Sequence, residues 1–380
     1  MKILILTDDM PWGHRSIARA IVAYLKPEEK RNKWRVEYAE VKAEIGVGLD
    51  LYRFFYRFSP KLNRISYKLA SGKKADRLIG LMVEDNLVKL KRLVNKVKPD
   101  LIISTYYFHS HSLAKWKSED NLKFALWTVV ADPWTVTDAS YVSGADLHLV
   151  YDEMGVEQGL RLGISKEKIL KTGWWVRGEM NQKVEKKERL RIRKNLGFVD
   201  DRPVIFVGGG SLGTNSLTKL LPVLLMVEKP MGVIVNTGTD KMSYRTVNNF
   251  MKIYARLKPV GRAVQIKNMG WIDNMAGVLS ACDIVFGKAG PNFLFDSVAM
   301  GKPFVAITHI GGQEDGNIDL IREKGLGWVK EKKGEASRFL LDYLDRPKFY
   351  NKKFEKTIRD EGEENRKCRE IIIEAVRKIS

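Results

Sequence analysis

The sequence predicts an α/β protein with two doubly wound parallel sheets. Short apolar runs such as Lys2–Thr7 are followed by a glycine-containing loop and then by a helix pattern, which is the order of a parallel sheet. Such units occur in both halves, and the second half opens with an apolar run at residues 203–207. The chain has 380 residues, more than the roughly 250–300 that one core holds. We therefore expect domains at 1–180 and 181–345, followed by a terminal helix at 346–380.

The composition is that of a globular protein, with 44% hydrophobic and 29% charged residues. No apolar run reaches the roughly 18–20 residues of a membrane span, and the first strand leads into two aspartates rather than a signal peptide. The two cysteines, Cys282 and Cys368, have no metal or disulfide spacing, which favours a reducing cytoplasm. A net charge of +20 indicates an anionic partner or surface.

In the first half, strands are expected at residues 2–7, 101–104, 123–130 and 146–151. His14 or Arg15 begins the first helix, and further helices are expected at 79–98 and 153–162. A loop after the second strand carries Tyr106, Tyr107, His109 and His111. The His-x-His pair could bind a metal, but the sequence has no evident third ligand, so packing or lining a cleft is the better interpretation.

In the second half, residues 283–317 contain two successive strand–loop–helix units. Gly287, Gly290 and Pro291 break the first strand, and Asn292 can cap a helix that runs to about Met300. A second strand at 304–307 leads into a glycine turn at 311–314, which opens another helix. Both loops would lie at the carboxyl edge of a parallel sheet, where free N–H groups at a helix start suit a phosphate. A single loop of this kind also occurs in proteins that bind no ligand there, whereas two in succession favour a ligand-binding site.

The segment KAGPNFLFDSVAMGKP followed by GGQEDGN resembles the donor-binding region of diacylglycerol glycosyltransferases. These are the monogalactosyldiacylglycerol and processive glucosyldiacylglycerol synthases, relatives of the peptidoglycan GlcNAc transferase MurG. The resemblance implies the GT-B architecture, two Rossmann-like domains facing a cleft. It further implies inverting transfer of a hexose from a UDP-sugar to a membrane lipid, diacylglycerol being the best candidate, with no cofactor and no required metal.

The resemblance also assigns the donor site. Asp296 would bind the ribose hydroxyls, Gln313 and Glu314 the sugar hydroxyls, and the loop at Trp271 the base. The glycine loop after residue 207 would face the diphosphate, although a lone GGGxxG pattern also occurs in dinucleotide-binding proteins. The complete expected donor-binding set is Gly210, Ser211, Gly213, Thr237, Trp271, Ile272, Ala289, Gly290, Pro291, Asn292, Asp296, Gly312, Gln313, Glu314 and Asn317.

Two residues of the first half resemble the family's acceptor-side groups. His14 would be the catalytic base, a task that suits an imidazole near neutral pH; the alternative is that it only caps its helix. Asp132, at the end of a strand, resembles a carboxylate that faces the acceptor. The sequence departs from the family at Pro11 and Trp12, which replace two glycines, and at Asn292-Phe293, which replaces Gly-Thr.

Residues 49–74 interleave aromatic and aliphatic residues with basic ones, as an interfacial membrane segment does. A core helix and a nucleic-acid surface are the alternatives, and the resemblance favours membrane attachment. We expect a protein that binds the inner face of the cell membrane from the cytoplasm, with an anionic membrane surface, a UDP-sugar and a lipid acceptor as partners and no nucleic acid. The expected membrane-binding residues are Tyr52, Arg53, Phe54, Phe55, Arg57, Lys61 and Arg64.

Three other functions remain open. A MurG-like transferase would use another lipid-linked acceptor, and a UDP-sugar epimerase of the same fold would leave the basic aromatic stretch unexplained. A peripheral membrane-binding protein without catalytic activity is compatible with the altered glycine loops.

Overall fold

The computed structural model describes residues 1–9, 13–42, 75–181, 184–198, 201–208, 216–258 and 263–380. These residues form two compact units. Unit 1 comprises Met1–Gly178, Gly311–Gly316 and Glu364–Ser380, and unit 2 comprises Glu179–Ile310 and Asn317–Glu363.

Unit 1 contains a six-stranded sheet in the order β2-β1-β3-β4-β5-β6, and every neighbouring pair is parallel. The central strands are apolar on both faces because helices cover both sides, which is the usual pattern of a parallel sheet. The strands are β1 (Lys2–Thr7), β2 (Arg35–Glu40), β3 (Leu101–Ser104), β4 (Ala125–Val129), β5 (Leu147–Val150) and β6 (Ile169–Lys171).

The first helix between these strands is amphipathic. In this helix, Ile17, Ala18, Ile21 and Leu25 lie on one face and are buried, as their spacing predicts. The helices of this part are α1 (Gly13–Leu25), α2 (Glu29–Asn32), α3 (Ala75–Val97), α4 (Tyr107–Glu119) and α5 (Glu153–Arg161).

Unit 2 contains a second six-stranded parallel sheet, in the order β12-β11-β10-β7-β8-β9. Its strands are β7 (Val204–Gly208), β8 (Met231–Asn236), β9 (Val264–Asn268), β10 (Ile284–Lys288), β11 (Phe304–Thr308) and β12 (Gly327–Val329). The helices from here to the end of the chain are α6 (Lys186–Asn195), α7 (Ser216–Leu220), α8 (Lys241–Leu257), α9 (Met275–Ala281), α10 (Pro291–Ala299), α11 (Asp315–Glu323), α12 (Glu335–Asp345), α13 (Pro347–Lys353) and α14 (Glu355–Arg377).

Phe293 packs against the sheet of unit 2 where two glycines lie side by side. Gly208 of β7 and Gly287 of β10 are register partners. A Cβ atom at Gly208 would lie 2.7 Å from the Phe293 ring, and one at Gly287 would lie 2.5 Å from it. Both glycines are therefore needed for the close approach of the ring.

Several local expectations from the sequence are wrong. Asn292 is not the cap of α10: Gly290 is the N-cap residue and Pro291 occupies the first turn, where its missing N–H costs nothing. The segment with Tyr107, His109 and His111 is the start of α4 rather than a loop. Strand β2 and helix α8 were not predicted at all.

A buried ion pair joins α6 to the sheet of unit 2. Asp283 accepts hydrogen bonds from Arg193 Nη2 at 2.7 Å and from the Val204 N–H at 2.7 Å, and it also pairs with Arg189. Arg193 Nε donates to the Ala281 carbonyl at 2.8 Å. The side chain of Arg193 is only 8% exposed, so solvent cannot replace its partner.

Asp283→Ala should lower the free energy of unfolding by about 3–5 kcal/mol, because it leaves a buried guanidinium without its carboxylate. Chemical denaturation measures this loss. The matched control is Asp345→Ala, which breaks the exposed pair with Lys229 and should cost less than about 1 kcal/mol. Equal losses in the two variants would contradict the assignment.

Candidate functional site

The candidate catalytic residues of unit 1 lie at the carboxyl edge of its sheet. Asp8 follows β1, Thr105 and Tyr106 follow β3, and Asp132 lies three residues after the end of β4. His14 is on the first turn of α1, the helix that follows β1. Parallel pairing brings these strand ends together although they are distant in the sequence.

A backbone hydrogen bond orients the ring of His14. Its Nδ1 lies 2.8 Å from the carbonyl oxygen of Thr105. A carbonyl can only accept, so in the neutral imidazole Nδ1 carries the proton and Nε2 is left as the basic nitrogen. The Thr105 hydroxyl lies 3.1 Å from the His14 carbonyl, so the same residue contacts both the ring and the backbone of His14. This tautomer is the one that can take a proton through Nε2.

The hydrogen bonds continue from Thr105 to a buried carboxylate. The Thr105 hydroxyl donates to the Thr7 hydroxyl at 2.9 Å, and Thr7 donates to Asp8 Oδ1 at 3.3 Å. Burial raises the pKa of Asp8, and the charge of His14 lowers it. The other oxygen of Asp8 and the hydroxyl of Tyr106 are buried and have no hydrogen-bond partner in the described part of the chain. The neighbourhood of His14 therefore holds polar atoms that could accept or donate further bonds.

Asp132 is electrostatically coupled to both His14 and Glu314. Burial raises the pKa of Asp132 to about 6; the charge of His14 lowers it and the charge of Glu314 raises it. The predicted base, the predicted acceptor-side carboxylate and one predicted sugar-binding residue thus belong to one cluster in unit 1.

The loop Gly311–Gly316 is held to the segment after β4. The Gly316 N–H donates to the Thr135 hydroxyl at 2.6 Å, and a Cβ atom at Gly316 would lie 2.6 Å from the backbone of Trp134. Within the loop, the Gly312 N–H donates to Asp315 Oδ1 at 2.9 Å. These contacts set the position of Gln313 and of the buried Glu314 relative to Asp132.

In unit 2, the predicted donor residues gather at the carboxyl edge of the second sheet. Thr237 follows β8, Trp271 and Ile272 follow β9, and Ala289 follows β10. Gly290 and Pro291 begin α10, and Asn292 lies in its first turn, so the N–H groups of this turn have no partners within the helix. Trp271 is exposed and donates from Nε1 to Asp273 at 2.9 Å, whereas Ile272 is buried.

Two buried polar groups of this edge have unused hydrogen-bonding capacity. Asn317 donates from Nδ2 to the Ala289 carbonyl at 2.8 Å, which connects α11 to the loop before α10. Its Oδ1 and the hydroxyl of Thr237 are buried and find no partner among the described residues. Asp296, on α10, is also buried.

Other predicted residues take no part in these clusters or lie outside the described residues. His109 donates to the Val41 carbonyl at 3.0 Å, and burial lowers its pKa to about 4; His111 contacts the Ala139 carbonyl at 2.8 Å. Both therefore have structural roles. Across the described ranges, no three His, Cys, Asp or Glu side chains come together as a metal site would require. Pro11, Trp12 and the predicted residues Gly210, Ser211, Gly213, Tyr52, Arg53, Phe54, Phe55, Arg57, Lys61 and Arg64 lie outside the described residues.

Sequence reasoning missed three groups near these edges. Asp8 and Thr105 acquire their positions from the pairing of β1 with β3, which no local pattern reveals. In unit 2, His309 Nδ1 lies 2.6 Å from Glu331 Oε1 directly after β11. One feature of the sequence could have identified all three residues: each directly follows the last residue of a parallel strand.

The two halves of the chain match two models of known families. Residues 14–176 match the monogalactosyldiacylglycerol (MGDG) synthase family, and residues 204–365 match the glycosyltransferase family 28 C-terminal domain. The match to the MGDG synthase family includes His14, Thr105 and Asp132, and the family 28 match includes every predicted donor residue.

The chain is also similar to curated MGDG synthases of plants. A probable MGDG synthase of Nicotiana tabacum is 26% identical over 346 residues, covering 86% of this chain and 61% of that protein. MGDG synthase 2 of Arabidopsis thaliana is also 26% identical, over 90% of this chain and 74% of its own length. Both are described as chloroplastic. The chain therefore spans only about six tenths of the tobacco relative.

Solved structures show the same fold at low sequence identity. MurG of Acinetobacter baumannii superposes with a TM-score of 0.61 at 12% identity, covering 99% of both chains. Anabaena HepE, solved with UDP-glucose, gives 0.58 at 14% identity over 100% of this chain and 99% of its own. A UDP-GlcNAc 2-epimerase of Neisseria meningitidis gives 0.63 at 13% identity over the whole of both chains. The fold is thus the two-Rossmann-domain GT-B type, which transferases and epimerases share.

Asp132→Asn should raise the free energy of unfolding at about pH 7.5 by about 1–3 kcal/mol. The folded chain holds the pKa of this carboxyl at about 6, above the ordinary 3.8. Asp132 therefore favours the folded state fully only while it is protonated, and this stability is lost as the pH rises from about 4 through about 6. Asparagine removes that loss because it has no charge. Urea denaturation at both pH values measures the difference.

Near about pH 4 the gain from Asp132→Asn should be small, because the carboxyl is still protonated in the folded state and only about half ionised in the unfolded state. Asp138→Asn is the control, since Asp138 is an exposed carboxylate six residues away. It should change stability little at either pH. An equal gain from Asp132→Asn at both pH values would rule out the carboxylate charge as its cause.

Proposed function

We propose that the protein transfers a hexose from a UDP-sugar to a hydroxyl of a membrane lipid, with diacylglycerol as the acceptor and with inversion at the anomeric carbon. The observation that supports this most is the cluster of His14, Asp132 and Glu314 in unit 1. It combines a base of defined tautomer with a carboxylate from the loop assigned to the sugar. An epimerase does not require a base for an external acceptor hydroxyl.

In the proposed reaction, Nε2 of His14 takes the proton from the acceptor hydroxyl as the oxygen attacks the anomeric carbon. The bond to the diphosphate breaks at the same time, so UDP leaves and no covalent sugar intermediate forms. The hydrogen bond from Nδ1 to the Thr105 carbonyl keeps the ring in place and stabilises the imidazolium that results. The carboxylates of Asp8 and Asp132 lower the cost of that positive charge.

In the proposed donor site, the N–H groups at the start of α10 receive the diphosphate. The buried Asp296 accepts from the ribose hydroxyls, and the backbone at Trp271 and Ile272 meets the uracil. The unused oxygen of Asn317 and the hydroxyl of Thr237 are further hydrogen-bonding groups at this edge. UDP or UDP-sugars occupy HepE and the epimerase of the same fold.

Membrane binding is the second part of the proposal. We infer that the chain binds the inner face of the cell membrane from the cytoplasm through the basic aromatic segment at residues 49–74. Among the residues that the structure describes, none of the helices combines the length and apolar content that crossing a bilayer requires. The net charge of +20 favours an anionic lipid surface.

The function is tested by UDP release from a panel of UDP-sugars, with and without anionic vesicles that contain diacylglycerol. Release that requires diacylglycerol, with a glycosylated lipid as product, is the expected result, and the panel identifies the sugar. His14→Ala should lower turnover at least about 10²-fold while UDP binding is unchanged. His111→Ala removes an imidazole that contacts the Ala139 carbonyl and the ring of Tyr107, and it should retain activity.

Release with an undecaprenyl-linked sugar but not with diacylglycerol would identify a MurG-like acceptor instead. If UDP and vesicles both bind and no donor is consumed with either lipid, the catalytic proposal is wrong. Full turnover by the His14→Ala variant would show that His14 is not the catalytic base.

Charge reversal of Arg53, Arg57, Lys61 and Arg64 to Glu should weaken binding to anionic vesicles at least about tenfold, because each basic residue near an anionic surface contributes about 1 kcal/mol. Co-sedimentation measures the change, with vesicles of neutral phosphatidylcholine as the control. Unchanged binding to the anionic vesicles would refute the assignment of this segment.

A further inference from the structure

Helix α8 of unit 2 exposes three large aliphatic side chains. Met242 is 65% exposed, Ile253 50% and Leu257 61%. The helix does have a conventional buried face, formed by Val247 and Tyr254 against the core of the unit. The exposed aliphatic residues are therefore a second apolar surface, which the core does not use.

These three residues project into one sector of the helix, and the exposed Thr246 and Asn249 lie between Met242 and Ile253 in that sector. At 100° per residue, Met242, Ile253 and Leu257 project within about 60° of one another, and they extend over about 22 Å of the helix. Val247 and Tyr254 project about 120–140° away from Met242. The half-buried Phe250 lies between the ridge and the buried face. We refer to Met242, Ile253 and Leu257 as the α8 ridge.

A basic strip runs beside the α8 ridge. Lys241, Arg245, Lys252 and Arg256 project from about 40° to about 100° to the other side of Met242, and all four are exposed. Helix α8 itself contains no Asp or Glu. No ion pair of these four residues occurs within the described ranges of the chain. The strip is therefore a row of positive charges next to an apolar ridge.

We propose that this face of α8 is a second membrane-contact surface, in which the ridge enters the headgroup region and the basic strip binds anionic lipid. An interfacial helix combines these two features, aliphatic residues on one side and unpaired Lys and Arg at the boundary. It lies in the other unit from residues 49–74. The inference does not depend on catalysis, because vesicle binding can be measured without transfer.

Two other partners fit this surface less well. A second copy of the chain, related by a two-fold axis, would bring two rows of unpaired positive charge together on a protein of net charge +20. A single-stranded nucleic acid would need aromatic side chains for stacking, whereas the ridge is aliphatic and Tyr244 projects about 160° away from Met242. An anionic lipid surface can contact both the apolar ridge and the basic strip.

A local probe tests the proposal on the full chain. Both native cysteines are buried, so a cysteine introduced by Ile253→Cys can be labelled selectively with an environment-sensitive nitrobenzoxadiazole dye. Leu190→Cys is the matched control, because Leu190 is 51% exposed on another helix of the same unit. With vesicles of phosphatidylcholine and phosphatidylglycerol, we expect a blue shift and quenching by lipid-borne quenchers at position 253 and not at position 190.

If the protein sediments with these vesicles and the dye at position 253 does not respond, the proposal is overturned. Failure of the protein to sediment would overturn it as well. A dye response that grows with protein concentration in the absence of lipid would assign the ridge to self-association instead.

Two sets of variants separate the apolar and the basic contributions. Met242, Ile253 and Leu257 changed to Ser, or Arg245, Lys252 and Arg256 changed to Glu, should each lower partition onto the anionic vesicles about tenfold or more. The charge control changes Lys186, Lys187 and Lys194 of α6, also exposed and in unit 2, to Glu. If vesicle binding falls equally in the control and in the α8 basic set, the effect depends on net charge alone. That result would contradict a specific binding surface on α8.

Discussion

Parallel pairing of the strands in the two described sheets is the constraint on which both candidate sites depend. It sends the carboxyl ends of the strands in each sheet to one edge, so that residues far apart in the sequence become neighbours. Thr7 and Thr105 are 98 positions apart, yet their hydroxyls are 2.9 Å apart because β1 and β3 are adjacent. The orientation of His14 follows from the same pairing, since its ring is held by Thr105, the residue that follows β3. Loops at this edge can change in sequence without altering the sheet that positions them.

Charged side chains that are shielded from solvent have different partners in the two units. In unit 2, Asp283 is paired with two arginines and a backbone N–H, so its burial supports the fold. In unit 1, the buried Asp8 and the half-buried Asp132 interact electrostatically with His14, Asp132 also interacts with Glu314, and the pKa values of both aspartates are raised. Such an arrangement costs stability and provides reactive groups, which is the usual compromise at a functional site.

Much of the architecture could be predicted because apolar runs and glycine turns mark parallel strands well; β1 and β3 have the predicted bounds. Helix α4 was missed because its buried residues include His109, Ser110 and Ser112, which bond to other groups and leave no hydrophobic period. Strand β2 is at the sheet edge and partly polar. The predicted site residues came from motifs, whereas Asp8 and Thr105 depend on neighbours in space. The motif also could not reveal that Gly290 rather than Asn292 caps α10.

The packing of Phe293 against Gly208 and Gly287 limits the substitutions that this chain can accept. The ring occupies the space above two adjacent strands that side chains would otherwise fill. A larger residue at either glycine is compatible only with a smaller one at position 293, and a smaller residue at 293 alone leaves an empty volume beneath the start of α10. The three positions should therefore vary together among descendants of this sequence. Replacement of Phe293 by a small residue therefore requires both strands to repack at once.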